Sequence, residues 1–438
     1  MTKIKVAMIC HFSNAIVQEK LKLKVGLLEF IVRKMKKQST NPYEFIGENS
    51  VWIKNAVEEY EKMTEEIELH VIVPHNNMAP AVQEFELRGV FYHFFQDENA
   101  AALNKIKKHF NPAEDYSKFQ KNRRAIKAFL NKISPDIVYM IGIESPFYSL
   151  SYQDIPQNVP FFVQLQTLLN DPDFEKNYPI SHKDYVYRSL VEAEAIKRAD
   201  YIGIAIEKMK NIIKNNIKPD AVFLNTKLAV GEKIYEGKVE KNYDFVYYAA
   251  NINKAFDLAI EGFALALKKH KGLTLLVVGA YDDEYKRQVD DRIRVLGVEN
   301  FVTFTGRLPT HDDVLKKIRE ARYALIPLKI DIVSGTIRES MANGLPVVTT
   351  ITNGGTPQLN EERETVLLSP IGDHQSLADN MLRLVDDQEL ACRLRENGFQ
   401  HIQKYYSNEF LVRQQKDALL AAVDNFRNGI PLPQDVLS

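Results

Sequence analysis

The sequence predicts an α/β protein built from two doubly wound parallel sheets, on three observations. Short apolar runs alternate with longer amphipathic stretches along the whole chain. The runs are continuous in apolar character, as strands covered on both faces are. The rhythm also occurs twice, on either side of a polar, unpatterned stretch at Val230–Asn242.

In the first half the strand candidates are Ile4–Cys10, Ile67–Val73, Ile137–Ile141, Pro160–Leu165 and Tyr201–Ile206. Helical periodicity fills Asn122–Lys132 and Tyr187–Arg198. In the second half the strands are Asp244–Tyr248, Leu273–Val278, Phe301–Thr305, Tyr323–Pro327, Pro346–Thr350 and Thr365–Leu368. Phe256–Lys269 and Asp283–Leu296 read as helices between them. A final amphipathic helix is expected from Asn408 to about Phe426. Domains are expected at 1–235 and 236–407, with 408–438 as a closing helix; ligand in such sheets binds at the carboxyl ends of the strands.

Composition narrows the function. The chain has 438 residues, 45% hydrophobic and 26% charged, with 57 basic and 58 acidic side chains. That balance fits a soluble globular protein and excludes both an acidic disordered chain and a nucleic-acid binder that relies on excess Lys and Arg. Cys10 and Cys392 are the only cysteines, too few for a disulfide framework or a Cys-based zinc site. No apolar run approaches a membrane span, and the amino terminus lacks the apolar region of a secretory signal, so a cytoplasmic protein is expected. The neutral total hides local clusters. Lys20–Lys37 holds seven basic residues against one acidic, and Lys105–Lys132 holds nine against two. Such runs serve either as a solvated helix face or as a surface for an anionic acceptor or the anionic inner face of a membrane.

The most informative stretch is 323–358, YALIPLKIDIVSGTIRESMANGLPVVTTITNGGTPQ. A buried strand ends at Pro327, a small-residue turn follows, and a short helix begins near Thr336. Asn343-Gly344 reads as its C-cap, and Pro346 cannot continue it. The free backbone N–H groups at Ser334, Gly335 and Thr336 then form an anion site at a strand's carboxyl end. Read alone, Thr336-x-x-Glu339 is also a capping box, in which Glu339 would serve its own helix.

This stretch resembles the retaining GT-B glycosyltransferases, glycosyltransferase family 4 (glycosyl transferases group 1) in particular. Asp331 and Glu339 keep the family's acid-x7-Glu spacing, and Glu339-Ser340-Met341-Ala342-Asn343-Gly344-Leu345-Pro346-Val347-Val348 follows its pattern. Gly354-Gly355-Thr356-Pro357-Gln358 and the late Tyr406-Ser407 fit as well. The resemblance runs from about 244 to 425 and is only topological before that.

It implies two Rossmann-like domains facing each other across a cleft, with the last helix crossing back to the first domain. It implies transfer of a sugar from a nucleotide-diphosphate sugar, UDP-sugars favoured, to an acceptor hydroxyl with retention, as in bacterial cell-surface polysaccharide or glycan synthesis. Glu339 would bind ribose hydroxyls, Asp331 the sugar and Lys254 the diphosphate, aided by Ser334, Gly335 and Thr336. Gly306 and Arg307 would lie against the base. The family's Arg before Lys254 is absent, with Ala249 or Ala250 near its place. The family's His near the donor sugar is replaced by Gln166, so His11, Glu144 and Gln166 are the acceptor-side or sugar-contact candidates. No cofactor or metal is implied. Two rivals remain: a nucleotide-sugar epimerase of the same fold, and a non-catalytic nucleotide-sugar binder.

Overall fold

The computed structural model describes residues 3–12, 14–25, 30–31, 34–35, 41, 50–98, 119–175, 182–204, 206–229, 234, 237–251, 255–280, 283–329, 335–352 and 355–438. The chain forms two compact units. One comprises Met1–Ala229 with Asn408–Ser438, and the other Val230–Ser407.

The first unit is built on a sheet of β1 (Ile4–Ile9), β2 (Ile67–His75), β3 (Val82–Leu87), β4 (Val90–Gln96), β5 (Ile137–Ile141), β6 (Phe161–Gln164), β7 (Tyr201–Gly203) and β8 (Phe223–Leu224). Their order across the sheet is β3-β4-β2-β1-β5-β6-β7-β8. β1 runs parallel to β2 on one side and to β5 on the other, with Val6 opposite Leu69 and Ile137. The connections therefore reverse direction between β1 and β5, and a crevice opens outside their carboxyl ends.

The expectation of wholly parallel sheets needs one correction, because β3 pairs antiparallel with β4. Arg88 and Gly89, at φ 53° and 78°, form the tight turn that such a hairpin requires. β3 alternates exposed and partly buried residues and carries Glu84 and Glu86, which suits an edge strand. Its half-wet pattern lacks the continuous apolar run that marks the other strands.

Helices α1 (Val51–Tyr60), α2 (Gln120–Ile133), α3 (His182–Arg198) and α4 (Glu207–Asn216) belong to this unit. The carboxyl-terminal helix, Asn408–Asn428, also packs here. It buries Leu411, Val412, Ala418, Leu419 and Ala422. Gln415 Nε2 donates to the Lys227 carbonyl at 2.7 Å, Lys416 pairs with Glu66 at 2.6 Å, and Arg427 pairs with Asp136 at 2.7 Å.

The second unit holds β9 (Tyr243–Asn251), β10 (Leu275–Ala280), β11 (Val302–Gly306), β12 (Ala321–Ile326), β13 (Val347–Ile351) and β14 (Val366–Pro370). The order is β11-β10-β9-β12-β13-β14, and every pairing is parallel. The continuous apolar runs have a direct cause. Phe245, Tyr247, Leu275, Val277, Tyr323 and Leu325 enter the core on one face. The residues between them, Val246, Tyr248, Leu276, Val278, Ala324 and Ile326, enter the core on the other. The covering helices are α5 (Phe256–Lys269), α6 (Asp283–Leu296), α7 (His311–Ile318), α8 (Gly335–Ala342), α9 (His374–Asp386) and α10 (Gln388–Tyr405). Gly344 sits at φ 69° just past α8, the left-handed position that ends a helix most readily as glycine.

Candidate functional site

In the second unit the connections reverse between β9 and β12, so the crevice lies outside the ends of these two strands. Helix α8 begins close to the end of β12 and places Glu339 there. Ile337 and Met341 anchor the helix in the core, and this leaves Glu339 only 6% exposed. The Tyr248 hydroxyl, three residues before the end of β9, donates to the Thr336 carbonyl at 2.6 Å and lies 3.1 Å from Ser340 Oγ. Burial first, then the nearby negative charge of Glu339, hold the phenol well above its ordinary range.

A second hold comes from α7. Thr310 Oγ1 accepts from Asp313 N at 3.1 Å, and Asp313 Oδ2 accepts from Thr310 N at 3.1 Å. This capping box fixes the first turn of the helix. It thereby places His311, whose Nε2 lies 3.1 Å from Glu339 Oε1. The carboxylate is thus approached from β9 and α7, not from its own helix alone. His311 and Tyr248 were both missed by sequence reasoning, since they stand 28 and 91 residues from Glu339.

Other predicted donor-side residues take consistent places. Gly335 opens α8, and the Thr336 carbonyl accepts from both Tyr248 and Ser340. Gly306 ends β11 at φ 68°, with open space where a side chain would stand, and Arg307 beside it is exposed. Such a bare backbone suits close approach by a flat group. Lys254, Asp331 and Ser334 lie outside the described residues. Another cation appears near the same strand end, however: Lys329, just past β12, pairs with Asp257 in the first turn of α5 at 2.8 Å. The buried Arg338 serves elsewhere, its guanidinium 4.7 Å from the Tyr406 ring centre.

In the first unit, Glu144 and Gln166 come together at the strand ends. An ideal Cβ at Gly142 would lie 2.9 Å from Gln166 Nε2, from Glu144 Oε2 and from the Tyr148 hydroxyl. Gly142 sits at φ 75°, so glycine is required there both by conformation and by space. Burial raises the Glu144 carboxyl, opposed by hydrogen bonds from backbone N–H groups, and its Oε2 makes no hydrogen bond. His11, two residues past β1, stands edge-on to Phe147 at 5.4 Å; desolvation lowers its pKa, against the opposing charge of Asp97. His75 at the end of β2 lies close enough to lower its own pKa through His11, after the larger effect of burial. Tyr148 and His75 gave no local signal in the sequence.

The basic runs are partly neutralised. Residues 105–118 lie outside the description, as do Arg33, Lys36 and Lys37. Within the described remainder, Arg123 pairs with Asp154 and Lys132 with Glu84, each at 2.7 Å. Lys20, Lys22, Lys24 and Lys34 are exposed. Among the described residues, no three His, Cys, Asp or Glu side chains are grouped to hold a metal ion. Nor does any described helix have the length and apolar character to cross a membrane.

Comparison with known proteins adds the following. Residues 244–387 match the family model described as glycosyl transferases group 1. A probable sucrose-phosphate synthase 2 of Arabidopsis thaliana is 40% identical over 76 residues, 17% of this chain and 7% of that protein. The chain therefore matches only a small part of that relative's length. Among solved structures, the sucrose-phosphate synthase of Thermosynechococcus elongatus superposes with a TM-score of 0.67 at 16% identity, over 95% of this chain and 98% of the other. Anabaena HepE in complex with UDP and glucose gives 0.62 at 13% identity, over 95% and 99%. At these identities the likeness establishes the fold, which is GT-B.

Proposed function

From a glycosyl transferases group 1 segment carried on a GT-B fold, we propose that this protein transfers a sugar from a nucleoside-diphosphate donor to an acceptor hydroxyl. The observation that carries the reading is Glu339. It is a buried carboxylate at the β9–β12 crevice, inside the matched segment, approached from two other elements. An ionised carboxylate accepts two strong hydrogen bonds from vicinal hydroxyls, as ribose presents.

In this reading Glu339 takes the ribose, and Gly306 and Arg307 border the base. Asp331 takes the sugar. The diphosphate falls to Lys254, Lys329 and the first turn of α8, with Ser334, Gly335 and Thr336 donating N–H groups. The UDP bound to HepE supports a uridine donor. Glu144, Gln166 and His11 are proposed to meet the acceptor or the transferred sugar. The reaction proceeds with retention: the bond from the anomeric carbon to the diphosphate oxygen breaks, the acceptor oxygen bonds on the same face, and the diphosphate takes the acceptor proton. Neither a resident metal nor a cofactor is part of the proposal. The protein's contribution is placement and stabilisation of the developing negative charge.

The acceptor is proposed to be a glycan or lipid-linked glycan of the bacterial cell surface, met in the cytoplasm at the inner face of the membrane. Exposed Lys20, Lys22, Lys24 and Lys34, beside exposed Phe30, Ile31 and Met35, support a peripheral contact with anionic lipid.

A thermal-shift panel of nucleoside diphosphates and nucleotide sugars tests the reading. One diphosphate nucleoside should raise the melting temperature in step with its concentration over Kd. No shift with any of them would overturn the transferase proposal, and epimerised free donor without transfer would replace it with an epimerase.

A further inference from the structure

We infer that His311 is a positioning residue, which holds the Glu339 carboxylate in the one orientation that grips both ribose hydroxyls. The inference rests on the proposed ribose role of Glu339.

A free Glu side chain rotates about three torsions, and fixing it costs conformational entropy. A carboxylate that must meet two vicinal hydroxyls at once needs its plane set before the ligand arrives. Three elements converge here to set it. The core residues Ile337 and Met341 fix α8 and hence the Glu339 backbone. Tyr248 of β9 ties its hydroxyl to the Thr336 carbonyl of α8 at 2.6 Å, one turn before Glu339, and lies near enough to feel the carboxylate's charge. His311 of α7 brings Nε2 to 3.1 Å from Oε1 from another. The Thr310–Asp313 capping box fixes the first turn that carries His311, so its placement does not depend on Glu339. An ionised carboxylate has about four lone-pair sites. The imidazole stands beside Oε1 without the alignment of a hydrogen bond, so it limits rotation of the carboxylate and leaves Oε2 and the outer side of Oε1 for the diol.

The test is binding of UDP and of 2′-deoxyuridine diphosphate, measured by calorimetry, with inorganic pyrophosphate as a probe that lacks ribose. The wild type should prefer UDP over the deoxy compound by about tenfold, the scale of one lost hydrogen bond to a charged group. His311→Ala should bring that preference close to one while pyrophosphate binding stays unchanged. His311→Gln keeps a polar side chain of similar reach against Oε1 and should restore most of the preference. Glu339→Ala separates the two levels of the argument. If it abolishes the preference while His311→Ala keeps it, the positioning role fails and the ribose role stands. If Glu339→Ala keeps the preference, or the wild type has none, the ribose role fails and this inference with it. Should His311→Ala not fold, a His311→Gln protein with no preference overturns the inference.

Discussion

Lys329 Nζ lies 2.8 Å from Asp257 Oδ2, and this pair ties the end of β12 to the first turn of α5. The two residues flank the crevice at which the sheet's connections reverse. The residues between β9 and α5 include Lys254, and the family's Arg is absent from them. Lys329 thus stands near a place where the proposed reaction needs positive charge.

Removing that charge should be felt by the diphosphate. Lys254→Ala and Lys329→Ala are each expected to lower affinity for UDP about tenfold, with a smaller loss for UMP, because charge-assisted contacts to the second phosphate go. Asp257→Asn should leave UDP affinity equal or higher, since it releases Lys329. Exposed pairs contribute at most about 1 kcal/mol, so the melting temperature should move by only a few degrees. Equal UDP and UMP affinity in the wild type would show that neither lysine reads the second phosphate.

Glu339→Gln keeps the volume of the side chain and removes its charge. UDP affinity is expected to fall by about tenfold, while far-ultraviolet circular dichroism stays the same. A variant that binds UDP as the wild type does would place ribose elsewhere.

Gly142→Ala tests the first unit's strand-end cluster. The substitution forces a left-handed conformation on Ala, costing roughly 1–2 kcal/mol, and sets a methyl 2.9 Å from Glu144, Gln166 and Tyr148. A lower melting temperature together with lower turnover is expected. Lower stability at full turnover would mean that these side chains do not touch the reacting groups.

Glu192 makes stability depend on pH. Burial pushes its carboxyl up to about 7, against bonds from the N–H groups of Leu169 and Asn170 and from Asn170 Nδ2. The folded state thus holds this proton more tightly than the unfolded chain. The group's contribution is complete below about pH 4.5 and is lost as pH rises towards 7, on the order of 3 kcal/mol. The lowered pKa values of His11, His70, His75 and His93 act in the opposite sense over the same window. Denaturant unfolding of wild type and Glu192→Gln from pH 5 to 8 separates them. The difference between the two proteins should change steadily with pH; parallel curves would show that Glu192 does not titrate there.

The carboxyl-terminal helix should stabilise the first unit. Leu419 is fully buried, and Leu419→Ala is expected to cost about 2–5 kcal/mol. Calorimetry should show the loss in one transition if the two units melt separately. An unchanged thermogram would mean that the helix is not part of that unit's folding.

The sequence by itself determined the fold class and the location of the donor segment. Strand and helix periods, caps and turn glycines are local properties, so the runs around Val246, Val277 and Leu325, and the stop at Gly344, could be read residue by residue. The Glu339 motif was readable because its spacing lies within one strand, turn and helix. β3 escaped because an edge strand bearing Glu84 and Glu86 lacks the continuous apolar run that identified the others; its partner β4 has such a run and escaped without that cause. Only the tertiary structure joined Glu339 to His311 and Tyr248, Lys329 to Asp257, and Glu144 to Gln166. These pairs come from different elements, and no local period encodes their meeting. It is decided by strand order and register, which bring distant carboxyl ends side by side.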